Sequence, residues 1–212
     1  MKRKELQYQT VKPLLRSTLK RLMEIDEFKP FRLVGGTSLS LRYGHRMSDD
    51  IDLFTDAEYG SLDFKLLQDI LRREFPYCQG DCGEIVGFGT SYLVGNSTND
   101  NVKVDLFYTD PFIRPMEQRD KIRMASVDDI VAMKMEVISR GGRKKDFWDL
   151  HMLRNHYSEV QMISLYEERY PYGATKEECV AGLTNFSVAD AEPDPICLQN
   201  KVWQLVKLDF VK

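Results

Sequence analysis

One stretch constrains this chain more than any other: residues 34–54, VGGTSLSLRYGHRMSDDIDLF. It opens on paired glycines and closes on three acids, Asp49, Asp50 and Asp52, set among the apolar residues Ile51, Leu53 and Phe54. A strand alternates its side chains between two faces, so Asp50 and Asp52 share one face while Ile51 and Leu53 point into a core. Asp49 faces away from its neighbours and is set aside. Two carboxylates held side by side repel; they are tolerated by sharing a proton or by binding a cation. Mg²⁺ is a hard ion that takes carboxylate oxygens and keeps positions for substrate phosphates. Gly35 and Gly36, followed by Thr37 or Ser38 as N-cap of a helix to about Tyr43, offer N–H groups and hydroxyls to a phosphate. A side chain at either glycine would hold the backbone away from it. Gly44 is expected to end that helix at C′.

The remaining elements place a third acid. Residues 3–26 read as helical with a break or kink at Pro13. Strands are expected at 31–34 and 51–55, and an amphipathic helix at 62–75. Two further strands, near 83–94 and at 102–108, are joined by a hairpin across the turn-rich NSTNDN. Val102, Val104 and Leu106 alternate with Lys103, Asp105 and Phe107, which puts Asp105 on a strand with its side chain opposite the apolar set. Residues 109–125 read as irregular. From Ser126, a good N-cap, the chain turns helical: 130–139, then 145–157 beyond the Gly141 and Gly142 break, and a last helix near 201–210. Ser158 with Gln161 and Thr175 with Glu178 are capping-box signatures between them.

Composition limits the setting. No apolar run approaches the roughly 20 residues of a membrane span, and the basic N-terminus lacks the apolar segment of a secretory signal, so a cytoplasmic protein is expected. Cys78 and Cys82 have no second Cys/His pair at zinc-finger spacing, so all four cysteines are read as free thiols. The net charge of −3 argues against indiscriminate nucleic-acid binding. It hides an asymmetry, however: residues 111–145 carry nine bases against five acids, and residues 156–195 eight acids against two bases. Solvated helix faces account for this, or a basic surface for a polyanion near the site.

Three carboxylates from two strands suit a pair of divalent ions in an in-line displacement. At this point the chain resembles a known family. GGTSLSLRYGHRMSDDIDLF, KVDLF and DDIVAMKMEVISRGGRKKDFWDL, in that order over residues 30–155, are similar to the motifs of AbiEii/AbiGii-type toxin nucleotidyltransferases, of the DNA polymerase β-like superfamily. The resemblance implies that Gly35, Gly36 and Thr37 or Ser38 form the phosphate-binding turn. It implies that Ser48, Asp50 and Asp52 form the S-x-D-I-D signature, with the two aspartates as metal ligands. Asp105 is then the third acid, completing the metal site or acting as base. Lys134 contacts the triphosphate, and Asp146 is the later aspartate, with Arg140 and Lys145 beside it. Lys134 and Arg140 are about 1.7 helical turns apart and would supply a point charge and a bidentate donor. Asp146 has two plainer readings, pairing with Lys144 or capping its helix. His45 and Tyr43 are read as shaping the site or stacking on a base, Phe147 and Trp148 as core, and His151 and His156 as surface histidines.

The expected fold is α+β: a small mixed β-sheet nucleotidyltransferase core flanked by helices over residues 1–115, then an α-helical part over 116–212. The expected activity is transfer of a nucleoside monophosphate from an NTP to an acceptor hydroxyl, with Mg²⁺ or Mn²⁺ as cofactor. The resemblance implies the toxin of a toxin–antitoxin pair acting on tRNA, with a cognate antitoxin as partner. Two alternatives stand beside it: a non-catalytic nucleotide- or partner-binding module of the same fold, and a transferase with a small-molecule acceptor.

Overall fold

Pro13 starts a helix instead of kinking one. The computed structural model describes residues 5–83 and 87–211, and in it α1 (Pro13–Glu24) begins at that proline. The fixed φ of proline suits a first helical position, where its missing N–H leaves no bond unmade. Ahead of it, Tyr8–Thr10 forms a single 3-10 turn; the start of the expected helix, at residues 3–4, lies outside the described residues. Leu15, Leu19, Leu22 and Met23, spaced three and four apart, are the buried stripe of α1.

The strands around the acids follow as β1 (Arg32–Leu33), β2 (Asp50–Thr55), β3 (Tyr77–Gln79), β4 (Gly89–Ser97) and β5 (Asp100–Tyr108). Between them lie α2 (Gly35–Tyr43) and α3 (Phe64–Glu74). The β4–β5 hairpin forms where the turn-rich segment demands it. The strand expected near 83–94 begins at Gly89, and residues 84–86 lie outside the described residues. Helix α2 is capped three residues before the first expected cap: Val34 is the N-cap, and Thr37 and Ser38 are buried inside the helix. Gly44 ends it in the left-handed region (φ 66°), its N–H donating to the Ser40 carbonyl at 2.8 Å.

The stretch read as irregular contains two strands, β6 (Glu117–Arg119) and β7 (Ile122–Met124). The turn between them runs through Asp120 and Lys121, both in the left-handed region without a glycine. All seven strands form one sheet in the order β3-β4-β5-β2-β1-β7-β6. It is mixed: β2 runs parallel to β5 and β1 parallel to β7, the other pairs being antiparallel.

Strand alternation divides the two faces of this sheet. Ile51, Leu53, Val104 and Leu106 join a core with Leu19 and Leu22 of α1 and Leu67 and Leu71 of α3. On the opposite face, Phe54 packs against a second cluster built around Phe147, Trp148 and Trp203. That cluster belongs to the helical half: α4 (Val127–Ser139), α5 (Lys144–Leu153), α6 (Glu159–Arg169), α7 (Lys176–Thr184), α8 (Ser187–Asp190) and α9 (Trp203–Phe210). The expected caps form, Ser126 accepting from the Asp129 N–H and both capping boxes closing. The architecture is therefore the expected α+β arrangement of a mixed sheet flanked by helices and followed by helices.

One return connection matters for the site. Residues 196–198 run back from the helical half and lie antiparallel to the loop that precedes β2. Arg46 bridges Cys197, the Met47 N–H donates to the Ile196 carbonyl, and the Leu198 N–H donates to the His45 carbonyl, each at 2.9 Å. The four cysteines are free thiols, and among the described residues no helix is long and apolar enough to cross a membrane.

Candidate active site

Parallel pairing of β2 with β5 sets Asp52 abreast of Asp105 and Asp50 abreast of Lys103. With a side-chain period of two, all three acids emerge on the face away from the α1–α3 core. They line a cavity of about 380 Å³, together with Gly35, Gly36, Ser48, Lys134 and Asp146. Most of the expected site is thus brought together from β2, β5, α2, α4 and α5. Phe54, Ile130, Met133, Val137 and Tyr170 give the same cavity an apolar wall.

The carboxylates compete for cations of the protein itself. Asp105 Oδ2 accepts from Lys103 Nζ at 2.6 Å, while its Oδ1 is buried with no hydrogen-bond partner. Asp50 Oδ2 stands 3.5 Å from Lys145 Nζ. Burial, then the charges of Asp105 and Asp50, push the Asp52 carboxyl up to about 6, against the pull of Lys134 and Lys145. With two of the acids drawn to lysines, no three His, Cys, Asp or Glu side chains among the described residues converge as a ready-made ion cage. The donor set itself, carboxylate oxygens with one of them buried and unsatisfied, fits a hard divalent cation.

Both glycines make room for charged side chains. Gly35 sits at φ +65°, and a Cβ there would collide with Asp52 Oδ2; a Cβ on Gly36 would collide with Arg46 Nη2. The backbone at this turn is therefore held directly against a carboxylate and a guanidinium. Thr37 and Ser38 do not line the cavity. The Thr37 hydroxyl is bonded to the Asp50 carbonyl and, at 2.8 Å, to Ser48 Oγ, tying α2 to the first residue of β2. Ser38 lies buried beside Arg42.

Behind the turn is a buried knot of charge. Lys134 Nζ donates to Asp146 Oδ1 at 2.6 Å and lies 2.8 Å from Asp149 Oδ2. Asp149 also accepts from Arg46 at both oxygens (2.7 and 2.8 Å) and bonds His45 Nε2 at 2.7 Å. Asp146 takes the Arg143 N–H and Nε at 3.3 and 3.1 Å, so it caps α5 as well as pairing Lys134; Lys144 pairs with Asp194 instead. Asp146 and Asp149 are fully buried. Burial alone would raise the Asp149 carboxyl, but Arg46 and Lys134 hold it well below the usual carboxylate range. Burial likewise opposes the Lys134 charge, and Asp146 with Asp149 more than offsets it.

Two expectations change here. Arg140 does not reach the cavity: it ends α4 with its side chain 73% exposed and paired to Glu136, just before Gly141 (φ +93°) turns the chain. Arg143 and Lys145, on the far side of that turn, line the cavity in its place. His45 shapes the site through Asp149, whereas Tyr43 lies against His156, the ring centroids 5.6 Å apart and the planes tilted by 31°, and does not line the cavity. Phe147 and Trp148 are core, and His151 is half-buried against Asp209. Sequence reasoning missed Asp149, Arg46, Arg143 and Lys103. A signal existed for Asp149: an acid between Trp148 and Leu150, in a helix buried nearly all round, must have a charged partner.

The family model described as nucleotidyl transferase AbiEii toxin, type IV toxin–antitoxin system, matches residues 17–204. The chain belongs to this family. It is 32% identical over 163 residues to an uncharacterized protein of Aquifex aeolicus (strain VF5), covering 73% of each chain. Its fold is similar to that of MenT4, a nucleotidyltransferase toxin of Mycobacterium tuberculosis H37Rv, with TM-score 0.61 and 15% identity over 91% of this chain and 78% of that one. JHP933 of Helicobacter pylori is similar at TM-score 0.55 and 16% identity, over 92% and 86% of the two chains. An AbiEii-family nucleotidyltransferase is thus the frame in which the acids, glycines and buried knot are to be read.

Proposed function

We propose that this AbiEii-family chain is a metal-dependent enzyme that moves a nucleoside monophosphate from an NTP to the 3′ hydroxyl of a tRNA, as the toxin of a toxin–antitoxin pair. One observation carries the reading. The β2–β5 register places Asp52 abreast of Asp105, with Asp50 on the same face, in a cavity that also contains the Gly35–Gly36 turn and a wall of cations.

Asp50, Asp52 and Asp105 would hold Mg²⁺ or Mn²⁺, which when bound supplies positive charge to the phosphoryl oxygens and favours ionisation of the attacking hydroxyl. The rest falls to this chain's own side chains. The Gly35–Gly36 N–H groups lie at the start of α2, where an anion is stabilised. Arg143 and Lys145 face the same cavity and can bind the outer phosphates, the first bidentately and the second as a point charge. Lys134, gripped by two aspartates, stiffens the wall more than it reaches for substrate. The apolar wall from Phe54 to Tyr170 gives the base a place to lie. In the reaction the acceptor oxygen forms a bond to the α-phosphorus as the bond to the bridging oxygen breaks. Pyrophosphate leaves with that electron pair, and the acceptor proton passes to a carboxylate oxygen of Asp105. Alignment and charge do most of the work.

The test is transfer of label. The protein is incubated with Mg²⁺, each labelled NTP and total tRNA, beside the Asp50→Ala/Asp52→Ala variant. Label on tRNA with wild type alone is the expected result. NTP binding without transfer sinks the proposal in favour of a binding module, and label on a small molecule from cell extract replaces the acceptor.

A further inference from the structure

The catalytic face of the sheet is covered on one side of the acids and open on the other. On the β1 side of β2 stand α2, α4 and α5 with every group assigned above to the triphosphate: Gly35, Gly36, Arg143 and Lys145. On the β5 side the strands β5, β4 and β3 continue the same face. Ser91, abreast of Asp105, and Gln79 at the β3 edge are exposed, and Leu93, abreast of Lys103, is half-buried. The cation on this open side that also lines the cavity is Lys103. Its side chain is 44% exposed, it shares a face with Asp105 two residues on, and its Nζ reaches Asp105 Oδ2 at 2.6 Å.

An in-line displacement places the attacking oxygen and the departing pyrophosphate oxygen on opposite sides of the α-phosphorus. If the pyrophosphate is held from the α2–α4–α5 side, the attacking hydroxyl must arrive from the β5–β4 side. We propose that Lys103 is the acceptor-side residue of this enzyme, holding a phosphate of a polyanionic acceptor strand that enters across the open face of β4 and β5. The half-buried Phe107 lies next along that face, 5.8 Å from Phe54, and gives a terminal base a ring to stack on. Gly89, abreast of Phe107, carries no side chain beside the ring, and a Cβ there would meet the Leu106 carbonyl oxygen before it met the ring. A lysine that holds the third acid until a phosphate draws it away also links arrival of the acceptor to release of Asp105. A neutral or cationic small acceptor would find no use for Lys103 in that position.

This inference rests on the transferase reading but is tested separately from it. The full chain is titrated with a fluorescein-labelled single-stranded RNA decamer carrying a free 3′ hydroxyl, over a range of salt, and with NTP and Mg²⁺ in parallel. Lys103→Gln is expected to weaken RNA binding about tenfold and reduce the salt slope by about one ion, and Lys103→Arg to restore both. Unchanged circular dichroism and melting temperature show that both variants are folded, and any change in their NTP affinity should be smaller than the change in RNA affinity. Unaltered RNA binding by Lys103→Gln, loss of NTP affinity instead, or no RNA binding by wild type each overturns the assignment. RNA binding that depends on Lys103 in a protein that transfers no label would uphold it while removing the transferase reading.

Discussion

Replacing Asp149 by asparagine tests whether the buried knot holds the fold and the site together. The change keeps the shape but removes a charge that faces Arg46 twice, Lys134 once and His45 once, all within 2.8 Å. An asparagine can accept at its carbonyl, but its NH₂ then points at another donor; buried Arg46 loses the carboxylate it pairs with, and Lys134 keeps only Asp146. Removing one partner of a buried pair costs about 3–5 kcal/mol. For a chain of this length each kcal/mol moves the melting temperature by about 2–4 °C, so a drop of about 6–20 °C is expected. Thermal and urea denaturation followed by circular dichroism reads it, with Asp26→Asn, which breaks only the exposed pair with Lys29, as a control near zero. The pH dependence has a definite sign. The folded Asp149 carboxyl lies well below its ordinary value, so its contribution is present above about pH 4 and is lost as pH falls further. The gap between wild type and variant should therefore be constant from about pH 5 to 8 and close in acid. A variant within 1 kcal/mol of wild type at pH 7 would refute the reasoning.

Other perturbations address the turn and the acids. Gly35→Ala should be more damaging than Gly60→Ala: both residues have positive φ, but only at Gly35 does a methyl group meet a carboxylate, that of Asp52. A loss of about 1–3 kcal/mol and of nucleotide binding is expected for Gly35→Ala, and equal effects at the two glycines would contradict it. Asp52→Asn should do the opposite to stability. The displacement of its carboxyl from 3.8 to about 6 corresponds to as much as 3 kcal/mol (roughly) of folding free energy lost as pH rises through 6. In chelator at pH 8 the variant should melt above wild type while being inactive, and the difference should vanish near pH 4; a variant less stable than wild type at pH 8 would count against it.

The legible part of this chain was the part that obeys a simple period. Alternation along DIDLF and KVDLF gave the face of each acid, and Ser126, Ser158 and Thr175 marked helix starts by capping chemistry. The register that puts Asp52 beside Asp105 was not readable, because a parallel pair is separated by other elements and no turn sets its alignment. Strands β6 and β7 are three residues each and turn through Asp120 and Lys121, neither a glycine, so they lack both periodicity and a turn signal. Helical spacing from Lys134 points to Arg140, but α4 ends there and Gly141 turns the chain, so that Arg143, beyond the turn, lines the cavity. Lys134 was read as reaching for phosphate; sequence spacing could not show that two acids of α5 would enclose its ammonium.

The backbone bridge between Arg46 and Cys197 has a consequence for synthesis. The loop that delivers Asp50 and Asp52 receives its partners at His45, Arg46 and Met47 from residues 196–198, some 150 positions later. While a ribosome is still making the helical half, that loop lacks its outer strand, and Arg46 lacks Asp149. A growing chain therefore carries the acids before it carries the aspartate and the returning segment that hold their loop.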